Sequence, residues 1–227
     1  MSVHRRHGPD DREAIVVRRP AGHPVTTIEV FADVACPFTH VGLRRFVEQR
    51  EQLGRHDVEL VVRAWPLEIV NGRPLDPAAT AAKVADMRHQ VAPTLFAGFS
   101  EENFPSTSLP ALALAAAAYA RDVGTGEAVS LELRDLLFER GEDIADPEVL
   151  GAVAEEHAIT VGPSDVQKVR DDHVEGVRRW VIGSPHFFTP VGDFFCPALR
   201  IDHDPAGHLE MTVDVETLDR FLTACFG

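Results

Sequence analysis

A strand-like segment runs into a helix-like segment at a single cysteine, and this junction constrains the fold more than any other feature. Residues 27–31 alternate and are rich in β-branched and aromatic side chains, which is typical of a strand. Residues 41–47 carry apolar side chains at helical spacing. Between them, Cys36 precedes Pro37, and proline suits the first turn of a helix because its missing N–H costs nothing there. The pattern predicts that Cys36 is the N-cap of the first helix.

This position is one at which a fold can make a sulfur reactive. A helix N-terminus carries a partial positive charge and free N–H groups, and both stabilise a thiolate. Thr39 stands where a C-x-x-C motif would have its second cysteine, and its hydroxyl is expected to donate a hydrogen bond to the Cys36 thiolate. The alternatives are that Cys36 is a buried small hydrophobic residue and that Thr39 is an ordinary first-turn residue.

Charge and hydropathy exclude several classes of protein. The 227 residues include 36 acidic and 22 basic side chains, a net charge of −14, and no long basic stretch that would bind a phosphate backbone. Residues 109–120 are the most apolar run and are too short to span a bilayer, while residues 1–24 lack the apolar core of a signal peptide. We therefore expect a cytoplasmic protein that binds neither nucleic acid nor membrane.

The cysteines favour the same cytoplasmic location, and the histidines bear on whether the chain binds a metal. Cys36, Cys196 and Cys225 form an odd, widely spaced set, which favours a reducing compartment over a disulfide framework. Cys196 is more simply read as an unpaired strand cysteine. The weaker alternative is that it resolves a disulfide of Cys36, which needs the two Cα atoms within about 7 Å. The histidines show no metal-ligand spacing, and we predict no metal site.

The order of the predicted elements is that of an α/β domain with a helical insertion. The chain is expected to begin with a flexible tail, residues 1–24. Two parallel strands joined by a right-handed helical crossover follow, then a helical block broken at its glycines, a hairpin and a last helix. The predicted bounds are 26–34, 37–53 and 58–64 for the first three elements, 76–177 for the helical block with breaks at Gly124, Gly126 and Gly141, 184–189 and 194–201 for the hairpin, and 214–224 for the last helix. The α/β domain then consists of residues 25–75 and 178–227.

A second segment is expected to lie opposite Cys36. Ser184 and Pro185 open the third predicted strand, and an X–Pro bond is cis at modest cost. A cis Pro185 would place the Ser184 backbone against the cysteine, ready to pair with an extended ligand. His186 follows, and in its charged form it would favour the Cys36 thiolate; the alternative is a strand side chain that points away.

Two aromatic residues complete the candidate site. Phe38 and Trp65 are expected to line the cleft, as aromatic side chains do in mostly apolar ligand sites, with core packing as the alternative for both. The sequence thus predicts one catalytic pair and a set of residues that contact substrate. The catalytic candidates are Cys36 and Thr39, and the substrate-binding candidates are Pro37, Phe38, Trp65, Ser184, Pro185 and His186.

In order and spacing, three segments resemble the DsbA superfamily of thioredoxin-like proteins with a helical insertion. The segments are residues 33–38 with Gly42, residues 136–150, and residues 183–188. The branches that the chain resembles are the FrnE-like proteins, the 2-hydroxychromene-2-carboxylate isomerases and the kappa-class glutathione transferases. The resemblance implies a thioredoxin fold with a helical lid over the active-site cleft. It also implies that Cys36 is the nucleophile position and that Pro185 is the cis-proline.

The chain departs from this family at Thr39. Dithiol oxidoreductases of the family have a cysteine there, and the isomerases and transferases tend to have serine at the position of Cys36. The resemblance therefore implies a thiol oxidoreductase that works through a mixed disulfide, with a small thiol or disulfide as partner. Glutathione would be a co-substrate and no cofactor would be tightly bound. A homodimer is implied by the same resemblance.

Two other functions are open at the level of the sequence. One is a glutathione-dependent transferase or isomerase of a small aromatic compound, in which Cys36, Thr39 and the Ser184 backbone hold the glutathione. The other is a binding module on a redox scaffold that has lost its chemistry. The fold alone does not choose among these three.

Overall fold

The computed structural model describes residues 25–197, 199–203 and 209–227. The predicted flexible tail, residues 1–24, lies outside these ranges. The strands are β1 (Thr26–Ala32), β2 (Val58–Ala64), β3 (His186–Thr189), β4 (Gly192–Phe195), β5 (Arg200–His203) and β6 (Leu209–Thr212). The helices are α1 (Pro37–Gln52), α2 (Leu67–Asn71), α3 (Pro77–Gln90), α4 (Leu109–Arg121), α5 (Val123–Glu139), α6 (Pro147–Glu156), α7 (Pro163–Arg178) and α8 (Val215–Phe226).

The main sheet has the strand order β2-β1-β3-β4. β1 and β2 are parallel, as predicted, and β3 is antiparallel to both β1 and β4. Ile28 and Val30 of β1 are fully buried in a core that Phe46 of α1 and Phe221 of α8 complete. Because β1 and β2 run in the same direction, the loops that follow them begin at the same edge of the sheet, and Cys36 lies in the first of these loops.

The helical block lies in the chain between β2 and β3, which confirms the predicted α/β class with a helical insertion. Its first helix begins as the sequence predicts, because the Asp76 side chain accepts a hydrogen bond from the Ala79 N–H and Pro77 occupies the first turn. Asp146 and Pro147 begin α6 in the same way. None of the helices in the described residues is both long and apolar enough to cross a membrane. The exact domain boundaries stay a prediction.

The helical block covers the outer edge of β2. The Tyr119 hydroxyl of α4 accepts a hydrogen bond from the Val62 N–H at 3.0 Å and donates one to the Leu60 carbonyl at 3.2 Å. Further along, the Asp172 carboxylate of α7 accepts a hydrogen bond from the Ala64 N–H at 3.2 Å. These side chains satisfy backbone groups of an edge strand that would otherwise be open to pairing with another chain.

The predicted helix breaks at Gly124 and Gly126 are wrong. Both glycines lie inside α5, because Asp122 caps that helix by accepting a hydrogen bond from the Thr125 N–H. Gly126 instead permits close packing, since a Cβ built there would lie 2.2 Å from Cδ1 of the Tyr119 ring. Gly141, with φ of +71°, does follow the end of α5 and is the one glycine of the three that acts as predicted.

Replacing Gly126 by alanine is expected to lower the free energy of unfolding by about 1–3 kcal/mol, the range for overpacking a core. The Tyr119 ring cannot move aside without losing its hydrogen bonds to β2. Gly151 is the matched control, because it lies in α6 with no atom within 4 Å of a built Cβ. Gly151→Ala should stabilise the chain by up to about 1 kcal/mol, the helix-propensity difference. Urea denaturation measures the unfolding free energy of both variants. Equal changes in the two would contradict the close packing of Gly126 against Tyr119.

The predicted strand over 194–201 is wrong in its second half. β4 ends at Phe195 because Cys196 has φ of +42°, in the left-handed region, and turns the chain out of the sheet. β5 then pairs with β6 in a separate antiparallel sheet. That sheet packs on α3, where the Gln90 side chain donates to the Leu209 carbonyl and accepts from the Met211 N–H, both at 2.7 Å.

Candidate active site

Cys36 lies at the N-terminus of α1, with Pro37 in the first turn, as the sequence predicts. Its side chain makes no capping bond to its own helix. The thiol instead donates a hydrogen bond to the Ser184 carbonyl, with Sγ 3.2 Å from the oxygen. The side chain is buried, with 3% of its surface exposed. The sulfur thus lies between a helix N-terminus and the loop that opens β3.

That loop is fixed by a cis peptide bond and a buried hydroxyl. The Ser184–Pro185 bond is cis. The Ser184 Oγ accepts a hydrogen bond from the Asp33 N–H at 2.9 Å and lies 2.8 Å from the Thr39 Oγ1. The contact that the structure gives to the Thr39 hydroxyl is therefore with Ser184, whereas the sequence predicted one with the Cys36 thiolate. Thr39 positions the loop that faces the sulfur.

Replacing Ser184 by alanine is expected to lower the free energy of unfolding by about 2 kcal/mol, because it leaves the buried Asp33 N–H and Thr39 hydroxyl without their partner. Thr39→Val removes the hydroxyl that contacts the Ser184 Oγ but keeps the hydrogen bond between that Oγ and the Asp33 N–H, so it should lower the unfolding free energy by less. Denaturant titration of the reduced proteins measures both. A Thr39→Val loss equal to or larger than that of Ser184→Ala would contradict this arrangement.

A buried carboxylate supports the loop between β1 and Cys36. Asp33 accepts hydrogen bonds from the Ala35 N–H at 2.8 Å, the Leu67 N–H at 2.6 Å and the Ser108 hydroxyl at 3.1 Å. Burial raises the pKa of the Asp33 carboxyl, and these hydrogen bonds oppose the shift only in part. The carboxylate ties the loop to α2 and to the start of α4. In the sequence Asp33 is noticeable only as part of a motif, and this role was not predicted.

Arg134 brings a positive charge that interacts with Cys36, and it was not predicted from the sequence either. The side chain is 1% exposed and donates to the Ser130 carbonyl at 2.6 Å, to the Ser130 hydroxyl at 2.7 Å and to the Asp33 carbonyl at 3.3 Å. Burial lowers its pKa to about 10, and the charges of Asp33 and of a Cys36 thiolate act in the opposite direction. Arg134 therefore stays charged at neutral pH, and a Cys36 thiolate is attracted to it.

The buried His40, next to Thr39 in the sequence, pairs with the partly exposed Glu139. His40 Nε2 lies 2.6 Å from Glu139 Oε1, and the ring packs on Phe96 and Phe138. Burial lowers the pKa of His40 despite the nearby carboxylate, so the ring is neutral at neutral pH. Burial by itself would raise the pKa of the Glu139 carboxyl. Hydrogen bonds from His40 and from the N–H groups of Phe96 and Ala97 outweigh it and lower the pKa of Glu139 to about 2.

The aromatic candidates occupy core positions. Trp65 is buried against Phe31, at 6.5 Å between ring centroids, and against His173, at 5.1 Å. A Cβ on Gly176 of α7 would lie 2.5 Å from the Trp65 ring, so the indole is wedged under that helix. Phe38 is half-buried and packs against the largest hydrophobic cluster. Core packing, the alternative that the sequence left open, accounts for the described contacts of both.

His186 is held by its own hairpin. Its Nδ1 accepts a hydrogen bond from the Ile182 N–H at 3.2 Å, and its Nε2 lies 2.9 Å from the Asp193 carboxylate. The ring stacks on Phe188 with centroids 4.9 Å apart. No contact among the described residues joins this histidine to Cys36, and its hydrogen bonds fix the start of β3.

The other two cysteines are poor nucleophiles. All three are free and buried. Cys196 donates its N–H to the Pro185 carbonyl at 3.0 Å, which places it behind the same loop. Burial, together with the charge of Cys36, raises the pKa of Cys196 to about 12, and burial raises the pKa of Cys225 to about 12. Since the thiolate is the reactive form, neither reacts readily at neutral pH.

Within the part of the chain that the structure describes, one group of side chains has ligand atoms close enough for a metal ion. Glu132, Glu156 and His157 have such atoms within 4.8 Å of one another, on α5 and at the end of α6. His157 Nε2 already lies 2.7 Å from the Glu132 carboxylate, so this nitrogen has a partner within the group. We assign no metal to these residues, and none of them belongs to the site around Cys36.

Comparison with known proteins agrees with this architecture. The sequence pattern of the DsbA-like thioredoxin domain matches residues 27–204. No curated protein sequence matched the chain. Among solved structures, the cytosolic disulfide reductase DsbM from Pseudomonas aeruginosa with GSH is 14% identical, covers 74% of this chain and 88% of its own, and has a TM-score of 0.54.

Two further structures show the same fold. A 2-hydroxychromene-2-carboxylate isomerase is 13% identical over 74% of this chain and 88% of its own, with a TM-score of 0.56. A probable DsbA oxidoreductase from Streptomyces coelicolor is 21% identical over 71% of this chain and 79% of its own, with a TM-score of 0.53. At these identities the likeness concerns the fold alone, and it confirms the expected thioredoxin fold with a helical insertion.

Proposed function

The chain belongs to the DsbA-like thioredoxin domain family, and from that premise we propose that it is a monothiol oxidoreductase with Cys36 as its nucleophile. Its substrate would be a small disulfide, and glutathione would supply the second thiol. The observation that carries the proposal is the Cys36 sulfur at the N-terminus of α1, 3.2 Å from the carbonyl of the residue before Pro185.

The first step forms a mixed disulfide. The Cys36 thiolate attacks one sulfur of the substrate disulfide, the new sulfur–sulfur bond forms as the old one breaks, and the other half leaves as a thiolate. The attacking sulfur lies at the positive end of α1, and the charge of Arg134 interacts with it. Its partner in the resting state, the Ser184 carbonyl, becomes free to accept a hydrogen bond from the substrate backbone.

The second step needs a thiol from solution. Thr39 carries no sulfur, and the Cys196 thiol has a pKa of about 12, so neither side chain releases the mixed disulfide efficiently. A glutathione thiolate attacks the substrate sulfur of the mixed disulfide, and the Cys36 thiolate leaves and is regenerated. The products are the Cys36 thiolate and a disulfide between glutathione and the remaining half of the substrate. A second glutathione that attacks this disulfide releases the substrate thiol and oxidised glutathione, which completes the two-electron reduction of the substrate.

Two observations support glutathione as the co-substrate. One structure of this fold, that of DsbM, was solved with GSH. The burial of Cys36 favours a small thiol over a folded protein as the species that reaches the sulfur. A cytoplasmic location, where such thiols are kept reduced, fits the three free cysteines and remains part of the proposal. A homodimer stays a prediction.

The test is to map glutathione on the full chain. We expect incubation with oxidised glutathione to place one glutathione on Cys36, detected by intact mass and peptide mapping, and reduced glutathione to remove it. Cys36→Ser should take up none, whereas Cys225→Ser should behave as the wild type. Glutathione found only on Cys196 or Cys225, or on no cysteine, would contradict the proposal.

The second candidate is a glutathione-dependent transferase or isomerase of a small aromatic compound. What favours it is the hydroxyl pair of Thr39 and Ser184 beside a buried sulfur, since such donors can hold a glutathione thiolate without forming a disulfide. Glutathione conjugation or cis–trans isomerisation that persists in Cys36→Ser would favour this candidate. Loss of both in that variant, together with glutathione on Cys36 in the wild type, favours the oxidoreductase.

A further inference from the structure

A groove of about 650 Å³ lies in the helical block, between the start of α4, helix α6 and the start of α7. Among the described residues that line it, Thr160 is the one with a polar side chain, and none is charged. A small-molecule site fixes its ligand with a few placed polar groups, and this groove offers little of that kind. It suits an apolar side chain of a protein better. The lining includes Leu114, Leu150, Ala154, Ile159, Val161 and Val166.

Helix α7 carries exposed apolar side chains from this groove to its C-terminal end. Val166 lines the groove and is exposed, and so are Val174 and Val177 further along. Val166 and Val177 are eleven residues apart, about three turns, so they share a face of the helix. Trp180 follows the end of α7 and is 83% exposed, the largest fraction among the large apolar side chains of the described residues. The groove and an exposed indole thus lie at the two ends of one helix.

The backbone at Trp180 indicates that its side chain serves something other than the packing of the single chain. Its φ of +59° lies in the left-handed region, which disfavours a bulky side chain. An exposed ring contributes little to the core. A residue held in an unfavourable conformation without a packing role points to a function for that side chain.

The charges of α7 allow two copies of the chain to meet there. Residues 163–179 hold four acidic and four basic side chains, whereas the whole chain has a net charge of −14. The repulsion that the net charge imposes on two copies is therefore weak along this helix. Two α7 helices related by a two-fold axis run antiparallel, so the C-terminal end of each lies beside the N-terminal end of the other. Arg170 of one copy then comes within reach of Glu175 of the other.

We propose that a second copy of the chain docks on this face, and that Trp180 of each copy fills the groove of the other. The interface is isologous, with two identical contacts between an indole and a groove and the valines of α7 between them. Trp180 alone can bury on the order of 200 Å² of the about 800 Å² that each partner buries in a standard interface. The proposal assigns an interface to the homodimer that the sequence left as an expectation. It requires no reaction at Cys36, so it stands or falls apart from the thiol chemistry.

Sedimentation velocity of the full chain over a wide range of concentrations tests the proposal. We expect the wild type to pass from monomer to dimer as the concentration rises. Trp180→Gly should weaken this association by at least about thirtyfold, as the loss of a hot-spot side chain does. Glycine suits a left-handed backbone, so this variant should fold at least as well as the wild type.

Val166→Asp tests the other side of the same contact. The new carboxylate lies in the first turn of α7, where a negative charge favours the helix, so the variant should fold. A charge on the groove wall opposes the entry of an indole, and the association should weaken by at least about tenfold. Val191→Asp, in the exposed turn between β3 and β4, makes the same change outside the proposed interface and should dimerise as the wild type does.

A mixture of the two interface variants distinguishes this arrangement from other dimers. Their heterodimer keeps one intact contact, in which Trp180 of the Val166→Asp copy meets the groove of the Trp180→Gly copy. We expect the mixture to associate more tightly than either variant alone. A wild type that stays monomeric at every concentration would overturn the proposal and leave the groove to another partner. A Trp180→Gly variant that dimerises as the wild type does, or a mixture no tighter than its components, would overturn it as well.

Discussion

Replacing Cys36 by serine is expected to abolish the reduction of a mixed disulfide between glutathione and a small thiol, by at least about a thousandfold, as loss of a nucleophile does. The reason is that Cys36 is the one cysteine that combines a helix N-terminus with a nearby cation, Arg134. The measurement is the rate at which oxidised glutathione forms under excess reduced glutathione.

The other cysteines supply the controls for this experiment. Cys225→Ser changes a thiol of α8 that is buried in the sheet core, and the variant should keep its turnover within about twofold if its fold is intact. A Cys36→Ser variant that keeps a tenth or more of the wild-type rate would refute the assignment of the nucleophile.

Replacing Glu139 by alanine is expected to lower the free energy of unfolding by about 3 kcal/mol, because it removes a charged acceptor from two backbone N–H groups and from the buried His40 ring at once. The carboxylate accepts from the Phe96 N–H at 2.8 Å and from the Ala97 N–H at 3.0 Å, and it pairs with His40. Thermal or urea denaturation measures the loss. Asp143→Ala, which removes one turn contact to the Ala145 N–H, is a control and should cost less.

The same carboxylate predicts how stability changes with pH. Its pKa is lowered from 4.5 to about 2, so the ionised form stabilises the folded chain fully above pH 4.5. This contribution is lost as the pH falls from 4.5 toward 2. The difference in unfolding free energy between the wild type and Glu139→Gln should therefore shrink over that window. A constant difference across it would contradict the assigned ionisation.

The parts of the fold that could be predicted were those with local causes. Cys36 before Pro37 predicted the start of α1, and residue 76 was the predicted start of the helical block, where Asp76 caps α3. Both starts depend on neighbouring residues, which set capping and proline geometry. Gly126 was misread as a helix break because its purpose, the approach of the Tyr119 ring, depends on a neighbouring helix. The end of β4 was missed because the left-handed backbone at Cys196 is unusual for a residue with a side chain.

In the candidate site too, the residues with local sequence signals could be predicted and those that depend on tertiary packing could not. The sequence predicted Ser184 and Pro185 opposite Cys36 from the X–Pro bond that opens β3 and from a family resemblance, and the contact between Cys36 and Ser184 agrees with that placement. Arg134 and His40 could not be found in this way, because charged and polar residues on amphipathic helices are ordinarily exposed. Only tertiary packing turns them inward, where they meet Asp33 and Glu139.

The central claim is that Cys36 works as a single thiol that glutathione releases. Its most direct test is steady-state turnover of the Cys196→Ser, Cys225→Ser double variant, in which Cys36 is the only cysteine. We predict a rate within about twofold of the wild type, which increases in proportion to reduced glutathione at low concentrations and gives the parallel-line pattern of a ping-pong mechanism. A double variant that accumulates the mixed disulfide and does not turn over would contradict the claim and would assign the release step to a second thiol of the chain.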